Sequence, residues 1–140
     1  QFGFLLTPLE LVRSVAALAN GGKLVTPHLV TTNTSPNVDL NLNQEHLKVV
    51  QEGMRKAVLG QTTQVLNISG VEVAAKSGTA ELGVTKELVN SWISGYFPYE
   101  SPRYAFVVMM EKGSRYNLRG AVFAMRETLE WMRDNTDYTK

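Results

Sequence analysis

The sequence predicts an α+β fold in which an antiparallel sheet is flanked by helices. Three observations carry that expectation. Before residue 60, apolar residues recur with helical spacing in two stretches, each opened by a capping residue. Between residues 71 and 111 the pattern changes to three strand-like runs with short connections, which suit antiparallel pairing. After them comes one more helical stripe, so helices lie before and after the sheet segment in the chain.

The first helix starts at Thr7-Pro8-Leu9-Glu10. Thr7 is a cap, proline suits the first helical position, and Glu10 completes a capping box. Glu10, Arg13, Ser14 and Ala17 form a polar stripe, and Leu9, Val12, Val15, Ala16 and Ala19 are expected to face a core. Asn20-Gly21-Gly22 ends the helix, because glycine accepts the left-handed conformation found there. Residues 23–30 read as a short extended segment interrupted by Pro27, and residues 31–43, rich in Thr, Asn, Ser and Pro, as a surface loop.

The second helix is expected over residues 44–59, with Asn43 as its cap, Gly60 as its stop, and Leu47, Val50, Met54 and Val58 as its buried stripe. Glu52 and Lys56 stand four apart on its outer face. Strands follow over 71–82, 89–97 and 103–111, with Pro98-Tyr99-Glu100-Ser101-Pro102 turning between the last two. The run Tyr104-Ala105-Phe106-Val107-Val108-Met109-Met110 is apolar on both faces, which predicts cover on both sides. A third helix is expected over 119–133, with Val122, Met125, Leu129 and Met132 inward, and the polar tail 134–140 is expected to fray.

Composition narrows the function. The 140 residues carry 14 Lys plus Arg against 13 Asp plus Glu, a net charge of +1, which offers no electrostatic case for nucleic acid or an acidic membrane. There is no cysteine, which removes disulfides, thiol nucleophiles and thiolate metal sites. His28 and His46 stand far apart and do not suggest a metal site. No run of apolar residues is long enough to cross a bilayer. Residue 1 is a glutamine in an apolar stretch, and the chain reads as a piece of a longer protein whose anchor or export signal would lie upstream.

The sharpest chemical feature is Lys76-Ser77-Gly78-Thr79-Ala80, set inside the first long strand. Such a sequence makes a poor core strand, and a strand glycine often marks close approach of a ligand or another backbone. Alternation puts Ser77 and Thr79 on one face and Lys76 on the other. On an edge strand the hydroxyls would reach a ligand laid along the edge, and free backbone groups would bind an extended peptide by strand addition. A carboxylate would suit the hydroxyls and the ammonium together.

These five residues resemble the K-[ST]-G-T-A signature of penicillin-binding proteins. The neighbours extend the likeness in order. Gln1-Phe2-Gly3 resembles the end of a turn leading into the first helix. Thr7 to Leu11, Ala16 to Lys23 and Pro27-His28 resemble the helix and strand before the motif. Trp92-Ile93-Ser94-Gly95-Tyr96-Phe97-Pro98 and Arg103-Tyr104-Ala105 resemble the strand pair after it. The chain is thus similar to the C-terminal part of the transpeptidase domain of class B high-molecular-weight penicillin-binding proteins, a β-lactamase-like fold.

The resemblance implies acyl transfer. A serine would attack the D-Ala-D-Ala amide of a peptidoglycan stem peptide, and β-lactam antibiotics would acylate the same serine. Lys76 would join the electrostatic network at that serine. Ser77 and Thr79 would hold the terminal carboxylate, the Thr79 N–H would donate to the oxyanion, and Gly78 would let the ligand approach. No cofactor is implied. The parent would work at the extracytoplasmic face of a bacterial membrane. Two other readings are a noncatalytic sensor of β-lactams or cell-wall peptides and a β-lactamase-like hydrolase.

No serine or threonine here has a lysine three residues on, so the S-x-x-K nucleophile is absent from this chain. Ser35-Pro36-Asn37 matches S-x-N but follows the first helix, where the family has it before, and reads as a decoy. The missing N-terminal half of the domain becomes an expected partner, and without it the chain is expected to be inactive and prone to self-association. Further residues stand out: Trp92 and Gly95 as packing residues in the sheet, and Arg115 with Arg119 around Asn117, in a loop that reads as a solvated turn and that could also border the substrate groove.

Overall fold

A computed structural model describes residues 5–30, 36–117 and 119–138. Three helices, α1 (Pro8–Ala19), α2 (Gln44–Gly60) and α3 (Ala121–Asn135), surround a sheet of β3 (Ala74–Leu82), β4 (Leu88–Phe97) and β5 (Tyr104–Ser114). A two-residue ribbon, β1 (Lys23–Leu24) with β2 (Val38–Asp39), joins α1 to α2. The large sheet is antiparallel throughout, in the order β3-β4-β5. Among the described residues, β3 is therefore an edge strand.

The helix signals act as expected. The Thr7 hydroxyl accepts from the Glu10 N–H at 3.2 Å, and the Glu10 carboxylate accepts from the Thr7 N–H at 2.8 Å. The Thr7 N–H foremost, and then the Thr7 hydroxyl donating to the same carboxylate at 2.9 Å, hold the Glu10 carboxyl below its ordinary value. Asn43 caps α2 by accepting from the Glu45 and His46 N–H groups. Gly21 and Gly22 both adopt positive φ just beyond α1.

Each face of the sheet carries its own core. On one face, Ala75, Ile93 and Phe97 pack with Ala121, Met125 and Leu129 of α3, joined by Val58, Leu66, Ile68, Val71 and Val73. On the other, Ala74 and Tyr96 pack with Val15 of α1 and Met54 of α2. Burial pushes the Tyr96 hydroxyl up to about 12, so it stays neutral and packs. The strands crowd most tightly at Gly95, which pairs with Ala75 and Phe106. A Cβ at Gly95 would collide with the Ala74 carbonyl oxygen and come within 2.8 Å of the Phe106 ring.

Several expectations need correction. Ala17, assigned to the polar stripe, is buried at 3% exposure, while Leu9 is 57% exposed. Leu9 lies in the first turn, over an open groove beside Ala105, Phe106 and Val107, and Ala17 lies near the other end of α1. In α2, Val50 is exposed and Ala57 takes its place in the buried stripe. The loop 31–43 contains β2, which pairs with β1; residues 31–35 fall outside the described residues. Val71 and Val73 are buried but precede β3, held by an Ile68–Val71 bridge.

β5 continues to Ser114 and is half-buried over most of its apolar run, but Met110 is exposed. α3 begins after Arg119 and runs two residues past Arg133. The tail does not fray as a whole. Thr136 donates to the Met132 carbonyl, and the Tyr138 ring lies 5.4 Å from that of Tyr104.

Two outcomes test this frame. Gly95→Ala should destabilise the chain by about 1–3 kcal/mol in denaturant unfolding, because backbone and a ring, not a flexible tip, block the added carbon. Thr7→Ala should cost about 1 kcal/mol at neutral pH. The Glu10 carboxyl titrates lower in the folded state, so its share of the cap is present above the ordinary carboxylate value and lost as pH falls through the depressed one. The gap between wild type and Thr7→Ala should accordingly narrow in melts recorded at acid pH.

Candidate active site

β3 and β4 pair without interruption from Ala74 opposite Tyr96 to Leu82 opposite Leu88. That register places Lys76 beside Ser94, Ser77 beside Ile93, Gly78 beside Trp92 and Thr79 beside Ser91. The strand opens outward along the motif. Ala74 and Ala75 are buried, Lys76, Gly78 and Thr79 are exposed, and Ser77 is half-buried.

Alternation divides the motif between two cavities. Ser77 and Thr79 border one of about 440 Å³, on the sheet face covered by α3. Its other walls are Thr62, the Ser91 and Trp92 positions of β4, the loop carrying Arg115 and Asn117, and the first turn of α3. Lys76 borders a different cavity of about 420 Å³ between α1 and α2. That second cavity is apolar, walled by Leu11, Val15, Leu18, Val50 and Met54, with Ser14 and Ser94 as its polar members. The Lys76 ammonium donates to the Ser77 carbonyl, which turns it along the strand. Hydroxyls and ammonium, grouped in the sequence reading around one carboxylate, therefore serve two sides of one edge.

Gly78 behaves unlike Gly95. A Cβ at Gly78 would meet only the Trp92 Cβ, at an ordinary 3.5 Å, and its φ is not left-handed. Nothing in the fold demands glycine there, so the bare backbone is available to something laid against the strand.

The cavity wall opposite β3 is fixed by contacts that sequence reasoning missed. α3 has Gly120 at its N-cap and no local side-chain cap. Ser91 of β4 supplies one from across the chain, its hydroxyl accepting the Ala121 N–H at 2.9 Å. Gly120 is needed for that approach, since a Cβ there would lie 2.7 Å from the Ser91 hydroxyl. Below Ser91 a bulge at Asn90 breaks the β4–β5 register, and the Asn90 side chain accepts the Lys112 N–H at 2.9 Å. The only sequence trace of this arrangement is a glycine directly before a helix.

Electrostatics follow from the same loop. Glu81 shares the face of Ser77 and Thr79 and pairs with Lys86 at 2.9 Å, which holds its carboxyl below the ordinary value. The Arg115 charge adds to that lowering. Arg115 and Asn117 border this cavity, whereas Arg119 points its guanidinium over the Phe123 ring at 6.0 Å. Trp92, expected only to pack, is half-buried and also borders the cavity. Of the other singled-out groups, His28 and His46 join no cluster able to hold a metal among the described residues. Ser35 and Gln1-Phe2-Gly3 lie outside them.

Comparison with known proteins identifies the family. Penicillin-binding protein H of Bacillus subtilis is 29% identical over 129 residues, covering 74% of this chain and 18% of that protein. The peptidoglycan D,D-transpeptidase PbpA of Mycolicibacterium smegmatis is 27% identical over 132 residues, covering 85% of this chain and 27% of that protein. Among solved structures, the penicillin-binding protein PBP2 of Helicobacter pylori superposes with a TM-score of 0.74 at 30% identity, over 95% of this chain and 24% of that one. Penicillin-binding protein A of Mycobacterium tuberculosis, solved as an imipenem acyl-enzyme, gives 0.70 at 26% identity, over 93% of this chain and 31% of that one. The chain spans less than a third of the length of each of these relatives. Residues 1–130 match the penicillin binding protein transpeptidase domain, and the chain belongs to that family.

Proposed function

We propose that this chain forms the β3 side of the active site of a serine-type peptidoglycan D,D-transpeptidase, as the C-terminal part of a larger domain. The observation that carries the reading is the Lys76-Ser77-Gly78-Thr79 segment on an open edge strand, with a cavity of mixed polar and apolar lining on one side and an apolar one on the other. In the reaction a serine hydroxyl from an upstream segment attacks the penultimate D-Ala carbonyl of a stem peptide. The amide bond breaks, D-Ala leaves, and an amine of a second stem peptide takes the acyl group from the serine.

Each motif residue has a part in that sequence. Lys76 faces the cavity between α1 and α2, and we assign that apolar trough to the upstream segment bearing the nucleophile. Its ammonium would then lie beside the serine and favour the deprotonated oxygen. The Thr79 N–H donates to the oxyanion, a contribution of about 3–4 kcal/mol to lowering the barrier. Ser77 and Thr79 hydroxyls bind the terminal carboxylate of the donor, and Gly78 keeps the strand bare for its backbone. A β-lactam fits the same groups as an acyl donor whose leaving group stays attached. The substrate class places the parent at the extracytoplasmic face of a bacterial membrane, held there by a segment outside this chain. Among the described residues no helix is long and apolar enough to cross a membrane.

Intact mass after incubation with a penicillin tests this. The adduct is expected on a co-purified upstream half only when this chain is present, and on neither alone. An adduct on this chain by itself would refute the assignment of the nucleophile to the upstream half. In the full-length protein, Lys76→Ala should slow acylation by roughly 10²–10⁴-fold with the fold retained, as judged by an unchanged melting temperature. Acylation at the wild-type rate would remove Lys76 from the site.

A further inference from the structure

Ser77 and Thr79 face a cavity that Lys76 does not border. A carboxylate bound by those two hydroxyls would thus lack the ammonium of its own motif as a direct partner. The cation on that side is Arg115, carried on the turn after β5 and bordering the same cavity of about 440 Å³. We infer that Arg115 is the charge partner of the donor's terminal carboxylate, and so a specificity-determining residue of the site. This rests on the transpeptidase reading above and adds to it a group from outside the motif.

Four features of the structure favour this assignment. The first is anchorage. The Arg115 N–H donates to the Glu87 carbonyl at 2.9 Å, which fixes the root of the side chain beside the β3–β4 turn. The second is availability. The side chain is exposed, and its guanidinium bond to the Lys86 carbonyl is long, at 3.5 Å, so little is lost when it turns to an anion. Third, Glu81, the carboxylate lining this cavity, takes its ion-pair contact from Lys86 at 2.9 Å, and Arg115 acts on it through its charge. Fourth, guanidinium is the fitting chemistry, being permanently charged and able to offer two parallel donors to a carboxylate. Asn117 stands on the same wall, but its side-chain oxygen accepts the Arg119 N–H at 3.0 Å and shapes the turn.

The test separates a charge partner from a merely structural residue by changing the ligand as well as the protein. Acylation rates of the full-length protein would be measured with benzylpenicillin, which carries the free carboxylate, and with its methyl ester, which does not. Arg115→Ala should slow reaction with the acid by about tenfold or more and change the ester rate by less than about twofold. Arg115→Lys should recover part of the loss. Equal loss on both ligands, or no loss on either, would overturn the role of Arg115. In that case Ser77→Ala still narrowing the acid-to-ester ratio would leave the transpeptidase reading standing. A wild-type protein that reacts with neither compound would overturn both.

Discussion

Lys76 lies beside Ser94 and Ser77 beside Ile93, and the unbroken pairing of β3 with β4 carries that phase along nine residue pairs. The chemistry of the edge depends on this register. A slip by one residue would turn the hydroxyls of Ser77 and Thr79 toward α1 and α2 and send the Lys76 ammonium into the cavity beside α3. The register is held where it can least move. Ala75, Gly95 and Phe106 stack in one row across the sheet, so tightly that position 95 has no space for a side chain. The buried end of β3 thus acts as the ruler, and its exposed end carries the functional groups.

Two kinds of glycine in the same sheet show how packing and function divide the sequence. Gly95 is dictated by its neighbours. Gly78 is tolerated by them and dictated by nothing in the fold. In the sequence both looked alike, single glycines inside strand patterns, and both suggested close approach. Only the three-dimensional surroundings separate a contact already made from a space left for a visitor.

The elements that read well from sequence were those with local causes. Thr7, Pro8 and Glu10 set the start of α1 through bonds three residues apart, and Asn43 does the same for α2. The motif strand and its exposed edge were also legible, because Lys, Ser, Gly and Thr in succession do not suit a buried strand. What stayed hidden depends on distant partners. Ala17 is buried although it falls on the polar stripe of α1, which the helical pattern alone does not reveal. β2 exists only because β1 lies beside it, and neither two-residue strand has a pattern to detect. Ser91 caps a helix thirty positions away, and a serine in a strand carries no mark of that duty.

That bond between Ser91 and Ala121 ties the far wall of the cavity beside α3 to the strand that also sets the position of the motif. Thr79 and Ser91 are direct cross-strand neighbours, so both walls take their position from one short stretch of β4. Sheets twist and flex as they breathe, and a cleft whose walls hung from separate elements would widen and narrow with that motion. Here both walls hang from the same stretch of β4, so a twist of that strand is expected to carry them together.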